Sequence, residues 1–158
     1  MKSNVAQLYQ GGFTSHLFDE KSFYTSFLSD LEHCEREAII ESPFISQNRM
    51  KILLPFFRRL MKRQVAVYVV TKDPSILEEP LATFSRRVIR EFEMLGIQVL
   101  ATVNHHHRKL AILDRKILWE GSLNILSQTN SREIMRRIVG EQYAQEMFDF
   151  LKLKRFIK

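Results

Sequence analysis

The stretch from Gln64 to Val103 reads strand, helix, strand, and that succession limits the possible folds more than any other feature of the chain. QVAVYVVT (64–71) is short, uncharged and rich in β-branched residues, the pattern of a strand buried on both faces. Lys72 to Pro80 predicts a loop. Pro80 then opens a helix that Gly96 closes, with Leu81, Phe84, Val88, Phe92 and Leu95 as its apolar stripe. Ile97 to Val103 predicts the next strand. Upstream, Phe23, Phe27, Leu31 and Cys34 stand at helical spacing and predict a helix near 20–34. Ala38 to Phe44 predicts a short buried strand, ended by Pro43 and Ser46. Residues 49–63 predict a basic amphipathic helix, which Pro55 either kinks or truly begins. Gln142 to Lys158 predicts one amphipathic helix with a basic end, and residues 1–12 a polar, flexible arm. The expected fold is therefore α/β, a mixed and largely parallel sheet flanked by helices on both faces, in a single domain over 1–158.

Composition narrows the function classes. The chain of 158 residues carries a net charge of +6, which favours polyanionic partners, nucleic acid or an acidic membrane surface, although a merely soluble basic protein fits charge alone equally well. Cys34 is the sole cysteine, so no internal disulfide can form, which suits a reducing compartment. No run is long enough to span a bilayer, and the start has no apolar core of signal-peptide type. The expected location is cytoplasmic, and stable membrane insertion is not expected.

The chemistry concentrates in residues 105–124, HHHRKLAILDRKILWEGSLN. His107 and Lys109 stand two apart, as do Ser122 and Asn124, and the apolar runs between them predict a hairpin. With the turn centred between Arg115 and Lys116, Asp114 faces Ile117, Lys109 faces Ser122 and His107 faces Asn124. One surface then displays an imidazole, an ammonium, a hydroxyl and an amide. A slip of one residue would divide the set between two faces. Arg115-Lys116 is poor chemistry for a two-residue turn, which favours a four-residue loop with the same centre. A neutral imidazole is a nucleophile or base, and an ammonium with two neutral donors suits an anionic centre rich in oxygens. Together they fit phosphoryl transfer by charge stabilisation. Asp114, near the turn, reads as structural: it caps the turn or supports the site from behind.

His107-x-Lys109, four residues, Asp114, six residues, then Gly121-Ser122-x-Asn124 resembles the signature of the phospholipase D superfamily, in the short form of its single-motif bacterial nucleases. The resemblance implies a two-step mechanism without metal or cofactor. One histidine attacks phosphorus to give a phosphohistidine, and a second protonates the leaving oxygen and then activates water. It makes His107 the nucleophile or acid, with Lys109 and Asn124 on the phosphate oxygens and Ser122 in support. Glu133 falls where related enzymes place a carboxylate that orients the histidine, and a plain surface carboxylate fits it equally well. A single motif cannot supply two histidines, so a twofold homodimer sharing one site is expected.

The expected function is a metal-independent nuclease acting on nucleic acid, DNA before RNA. The alternatives are a lipid phosphodiesterase or phosphatidyl transferase, and a nucleic-acid-binding module without turnover. Other features have plainer readings. His105 and His106 predict an exposed pair; neighbouring strand residues diverge, and no familiar zinc spacing accompanies them. Arg58, Arg59, Lys62 and Arg63, like Arg86, Arg87 and Arg90, predict solvated helix faces, a minority of them touching phosphates. Ser42 and Thr71, at strand ends, are candidate rim contacts. Trp119 predicts core.

Overall fold

A computed structural model describes residues 12–127 and 130–157. Among these residues, seven strands form one sheet: β1 (Thr14–Asp19), β2 (Glu37–Glu41), β3 (Ala66–Lys72), β4 (Gln98–Thr102), β5 (Leu110–Leu113), β6 (Ile117–Gly121) and β7 (Ile134–Val139). Their order across the sheet is β1-β7-β6-β5-β2-β3-β4. Among the described residues, four α-helices accompany them: α1 (Phe23–Glu32), α2 (Gln47–Lys62), α3 (Leu81–Met94) and α4 (Glu141–Phe150). The expected arm at 1–12 lies, apart from Gly12, outside the described residues.

The α/β class and the mixed sheet are as the sequence predicts. The share of parallel pairing is smaller. β2 with β3 and β3 with β4 are parallel, joined through α2 and α3 as crossovers. The pairs β2–β5, β5–β6, β6–β7 and β1–β7 are antiparallel. Beyond β4 the chain returns without a crossover helix, so each later strand reverses on its neighbour. β1 and β7, which the apolar patterning did not announce, form this antiparallel wing. Their exposed alternate residues dilute the signal that buried strands give.

Helices cover both faces unequally. Phe23, Phe27 and Leu31 of α1, Leu53 and Phe57 of α2, and Val88 and Phe92 of α3 pack on one face with Ile40, Val67, Val69 and Trp119. Each such fully buried side chain stabilises the fold by about 1.5–3 kcal/mol relative to exposure. On the other face α4 packs Ala144 and Phe148 on Ile39, Leu110, Ile112 and Leu118.

Two helices depart from their expected bounds. α2 begins at Gln47, where the Ser46 hydroxyl accepts the Arg49 N–H at 3.4 Å, and it runs through Pro55. The cap and the buried stripe Met50, Leu53, Phe57 and Leu60 outweigh the one hydrogen bond that proline removes. The expected single C-terminal helix stops at Phe150, because Lys152 adopts a left-handed conformation (φ 55°) and a short 3-10 turn follows. Continuing the helix would put Lys152 one turn beyond Phe148 on the sheet-facing side. The break instead delivers Leu153 and Ile157 to the core.

Candidate active site

The motif occupies both ends of the β5–β6 hairpin, and its turn differs from the sequence expectation. The loop is three residues, Asp114-Arg115-Lys116, with Asp114 and Arg115 both at φ 52°. Leu113 therefore faces Ile117 and Leu110 faces Glu120, one residue out of the expected register. The cause is tertiary. Asp114 donates its N–H to the Glu37 carbonyl at 2.9 Å, while its carboxylate accepts the backbone N–H groups of Glu35 (3.0 Å), Arg36 (2.8 Å) and Glu37 (3.0 Å). Asp114 thus ties the turn to the entry of β2, at the end of the hairpin remote from His107.

The slip does not have the consequence that strand alternation would give. β5 begins at Leu110 and β6 ends at Gly121, so His107, Lys109, Ser122 and Asn124 all lie just beyond the paired strands. Loops, not pleat, set their directions. Lys109 accepts the Gly121 N–H on its carbonyl at 3.3 Å, and its ammonium donates to the His107 carbonyl at 2.5 Å. Gly121 permits an unusually close approach of β7: a Cβ there would stand 2.1 Å from the Ile134 carbonyl oxygen and 2.9 Å from the Met135 Cα. That proximity lets Ser122 dock on Ile134. Its N–H donates to the Ile134 carbonyl (2.9 Å), and its hydroxyl accepts the Ile134 N–H (3.0 Å).

Asn124 starts a turn in which its carbonyl accepts the Ser127 N–H at 3.0 Å. Its side-chain Oδ1 is buried and has no hydrogen-bond partner among the described residues. The same loop is fixed from three sides. Tyr24 donates its hydroxyl to the Ile125 carbonyl (2.8 Å), Leu126 donates its N–H to Ser42 Oγ (3.1 Å), and Ser46 donates its N–H to the Leu126 carbonyl (2.9 Å). The Arg49 guanidinium lies 3.3 Å from the centre of the Tyr24 ring and packs that tyrosine from α2. Glu133 immediately precedes β7, half-buried, with its N–H donating to Glu20 Oε2 at 3.0 Å.

His107 is exposed, and its pKa is held below the ordinary imidazole value. The positive charge of Lys72 is the largest cause, followed by partial desolvation and then the Lys109 ammonium. Lys72, at the end of β3, sits 4.4 Å from the centre of the Phe44 ring. Sequence reading passed it over as a loop residue. Its signal was its place at a strand end in an α/β sheet, where site residues gather. An imidazole whose protonated form is disfavoured by nearby ammonium groups is suited to attack an anionic centre whose oxygens those ammoniums stabilise.

Three other expectations need correction. His106 is not an exposed loop residue: it is 6% exposed and packs against Glu41, itself 1% exposed. Ser42 and Thr71 are buried rather than on the rim. Their hydroxyls donate to the carbonyls of Phe44 (3.1 Å) and Pro43 (3.3 Å), and so brace the strand ends. Trp119 is core as expected, fully buried with its indole N–H donating to Asp30 at 2.8 Å. The helix arginines are largely paired at the surface, Arg58 with Glu91 and Arg59 with Glu32 at 2.9 Å each. Among the described residues no three His, Cys, Asp or Glu side chains group as metal ligands, and no helix is long and apolar enough to cross a membrane.

The fold and the site segment together define an α/β domain of phospholipase D type. The model of the family described as "Cardiolipin synthase, PLD-like domain" matches residues 27–152. Solved structures that share the fold include these three. Nuc from Salmonella typhimurium, a phospholipase D family member, is 19% identical with a TM-score of 0.70, over 89% of this chain and 93% of its own. NucT from Helicobacter pylori is 16% identical with a TM-score of 0.68, over 89% and 94%. Phosphatidylserine synthase from Haemophilus influenzae Rd KW20 is 12% identical with a TM-score of 0.66, over 90% of this chain but 38% of its own. No curated protein matches the sequence. The chain belongs to the PLD-like domain family of the phospholipase D superfamily.

Proposed function

We propose that the chain is a phosphodiesterase, and specifically a nuclease acting on DNA without a metal cofactor. The observation that carries this is His107: an exposed imidazole kept toward its neutral form by Lys72 and Lys109, within an HxK…GSxN segment. In this reading the His107 lone pair attacks phosphorus. A nitrogen–phosphorus bond forms as the bond to the leaving oxygen breaks, and that oxygen takes a proton from a second imidazole. Water, deprotonated by the same second imidazole, then attacks phosphorus and releases the phosphate end and neutral His107. Lys109, Asn124 and Lys72 hold the non-bridging oxygens. Ser122 fixes the loop that carries Asn124, and Glu133 is a candidate for orienting an imidazole. The second imidazole comes from His107 of a second copy in a twofold dimer, and the pair shares one extra proton, so that one copy starts protonated and the other neutral. The similarity to Nuc and NucT and the net charge of +6 support nucleic acid as substrate.

Cleavage of plasmid and oligonucleotide DNA in EDTA, comparing wild type with His107→Ala, tests the proposal. Wild-type cleavage, a trapped phosphohistidine and an inert variant are expected. DNA binding without cleavage by either protein would sink it. The family description and the similarity to a phosphatidylserine synthase favour one rival, action on a phospholipid diester. Headgroup release from phospholipid vesicles, with DNA left intact, would establish that reading instead.

A further inference from the structure

Glu41 is a carboxylate where the sheet should be apolar. It ends β2 after Ala38, Ile39 and Ile40, pairs with Val70 on one side and Leu110 on the other, and is 1% exposed. A buried carboxylate costs several kcal/mol unless charged partners compensate it. The partners come from the two residues that flank His107. Arg108 Nε donates to Glu41 Oε1 at 2.7 Å, and His106 Nε2 lies 2.6 Å from the same oxygen. The arginine contact is a directed hydrogen bond. The histidine contact is a close approach whose ring N–H is not aligned with the oxygen, so Arg108 is the firmer half.

The segment 103–109 belongs to no strand or helix, and the pleat cannot aim its side chains. Contacts aim them instead: His106 is buried against Glu41, Arg108 bonds the same oxygen, and His107 between them is left exposed.

We infer that Glu41 is a positioning residue, a buried anchor that grips both neighbours of His107 and so presents its imidazole for reaction. The inference rests on the phosphodiesterase reading for its catalytic consequence, but its geometric content stands apart from that reading.

Two readouts on the full chain test it. The first is the imidazole 15N–1H correlation of His107, assigned by its loss in His107→Ala. The second is kcat and KM for bis(p-nitrophenyl) phosphate in EDTA. Glu41→Ala is expected to shift or broaden the His107 signal, and to lower kcat about 10- to 100-fold while KM changes less than about 3-fold, because misplacing a reacting group acts on the chemical step. Glu41→Gln, which keeps an oxygen for Arg108, is expected to recover part of the loss. An unchanged His107 signal and kcat in Glu41→Ala would overturn the inference. Should that variant fail to fold, Arg108→Ala replaces it, since this side chain is 56% exposed and leaves the core intact. The same shift and kcat loss are expected, and their absence is again fatal. A wild type that hydrolyses nothing would defeat the phosphodiesterase reading, and the His107 signal would still decide the role of Glu41.

Discussion

The two ends of the β5–β6 hairpin belong to one sequence motif and are built on opposite principles. At the turn, polar groups are consumed by the fold. The Asp114 carboxylate accepts three backbone N–H groups, and Arg115 pairs with Glu37 at 2.6 Å while covering the Phe148 ring at 3.7 Å. At the open end, the imidazole is left available: His107 is exposed, and its pKa is held below the ordinary value. A structural site spends its hydrogen-bonding capacity internally, whereas a reactive one holds it for a ligand. The spacing of the motif records both jobs without distinguishing them.

Substitutions at the two ends should separate accordingly. The largest effect is expected at the open end: His107→Ala should lower phosphodiester turnover by about 10³-fold or more in EDTA, with an unchanged circular dichroism spectrum. Retained turnover would erase the contrast. Lys109→Ala and Asn124→Ala should each cost about 10²- to 10³-fold in kcat, as expected for donors to a developing phosphorane. At the turn, Asp114→Ala should instead cost about 2–3 kcal/mol of stability in urea titrations, because three N–H groups lose a charged acceptor, while kcat per folded molecule stays near wild type. A large kcat loss at full stability would move Asp114 into the chemistry. The smallest effect concerns Lys72→Met. Removing the main charge that disfavours imidazolium lets the His107 pKa rise. The attacking imidazole must be neutral, so the acidic limb of the kcat/KM profile should move to higher pH. Because the site is exposed, added salt should shrink the difference.

The parts legible in sequence follow a common rule. Phe23, Phe27 and Leu31 announced α1, and Val67 and Val69 announced β3, because burial on a regular element repeats with the period of that element. His107, Lys109, Ser122 and Asn124 stood out because their types and spacing suit one reaction. What the hairpin reading missed was register. An odd three-residue loop, stabilised by Asp114 reaching to residues 35–37, replaced the expected even one. The antiparallel wing of β1 and β7 was missed because half-exposed edge strands carry a weak apolar signal. Glu41 was missed because a carboxylate in a buried strand asks for a cation, and no local spacing says which of the chain's 24 Lys and Arg residues answers.

By itself, the sequence determined the α/β class and the helical stripes and singled out the candidate reactive groups, since these depend on local periodicity and residue chemistry. Only the tertiary structure decided that Lys72 comes near enough to His107 to disfavour its protonated form, that Asp114 reaches to residues 35–37, and that both residues beside the imidazole meet Glu41. Each of these joins segments distant in the chain, and such contacts are selected by packing and by the cost of burying charge, neither of which leaves a periodic trace in a linear sequence.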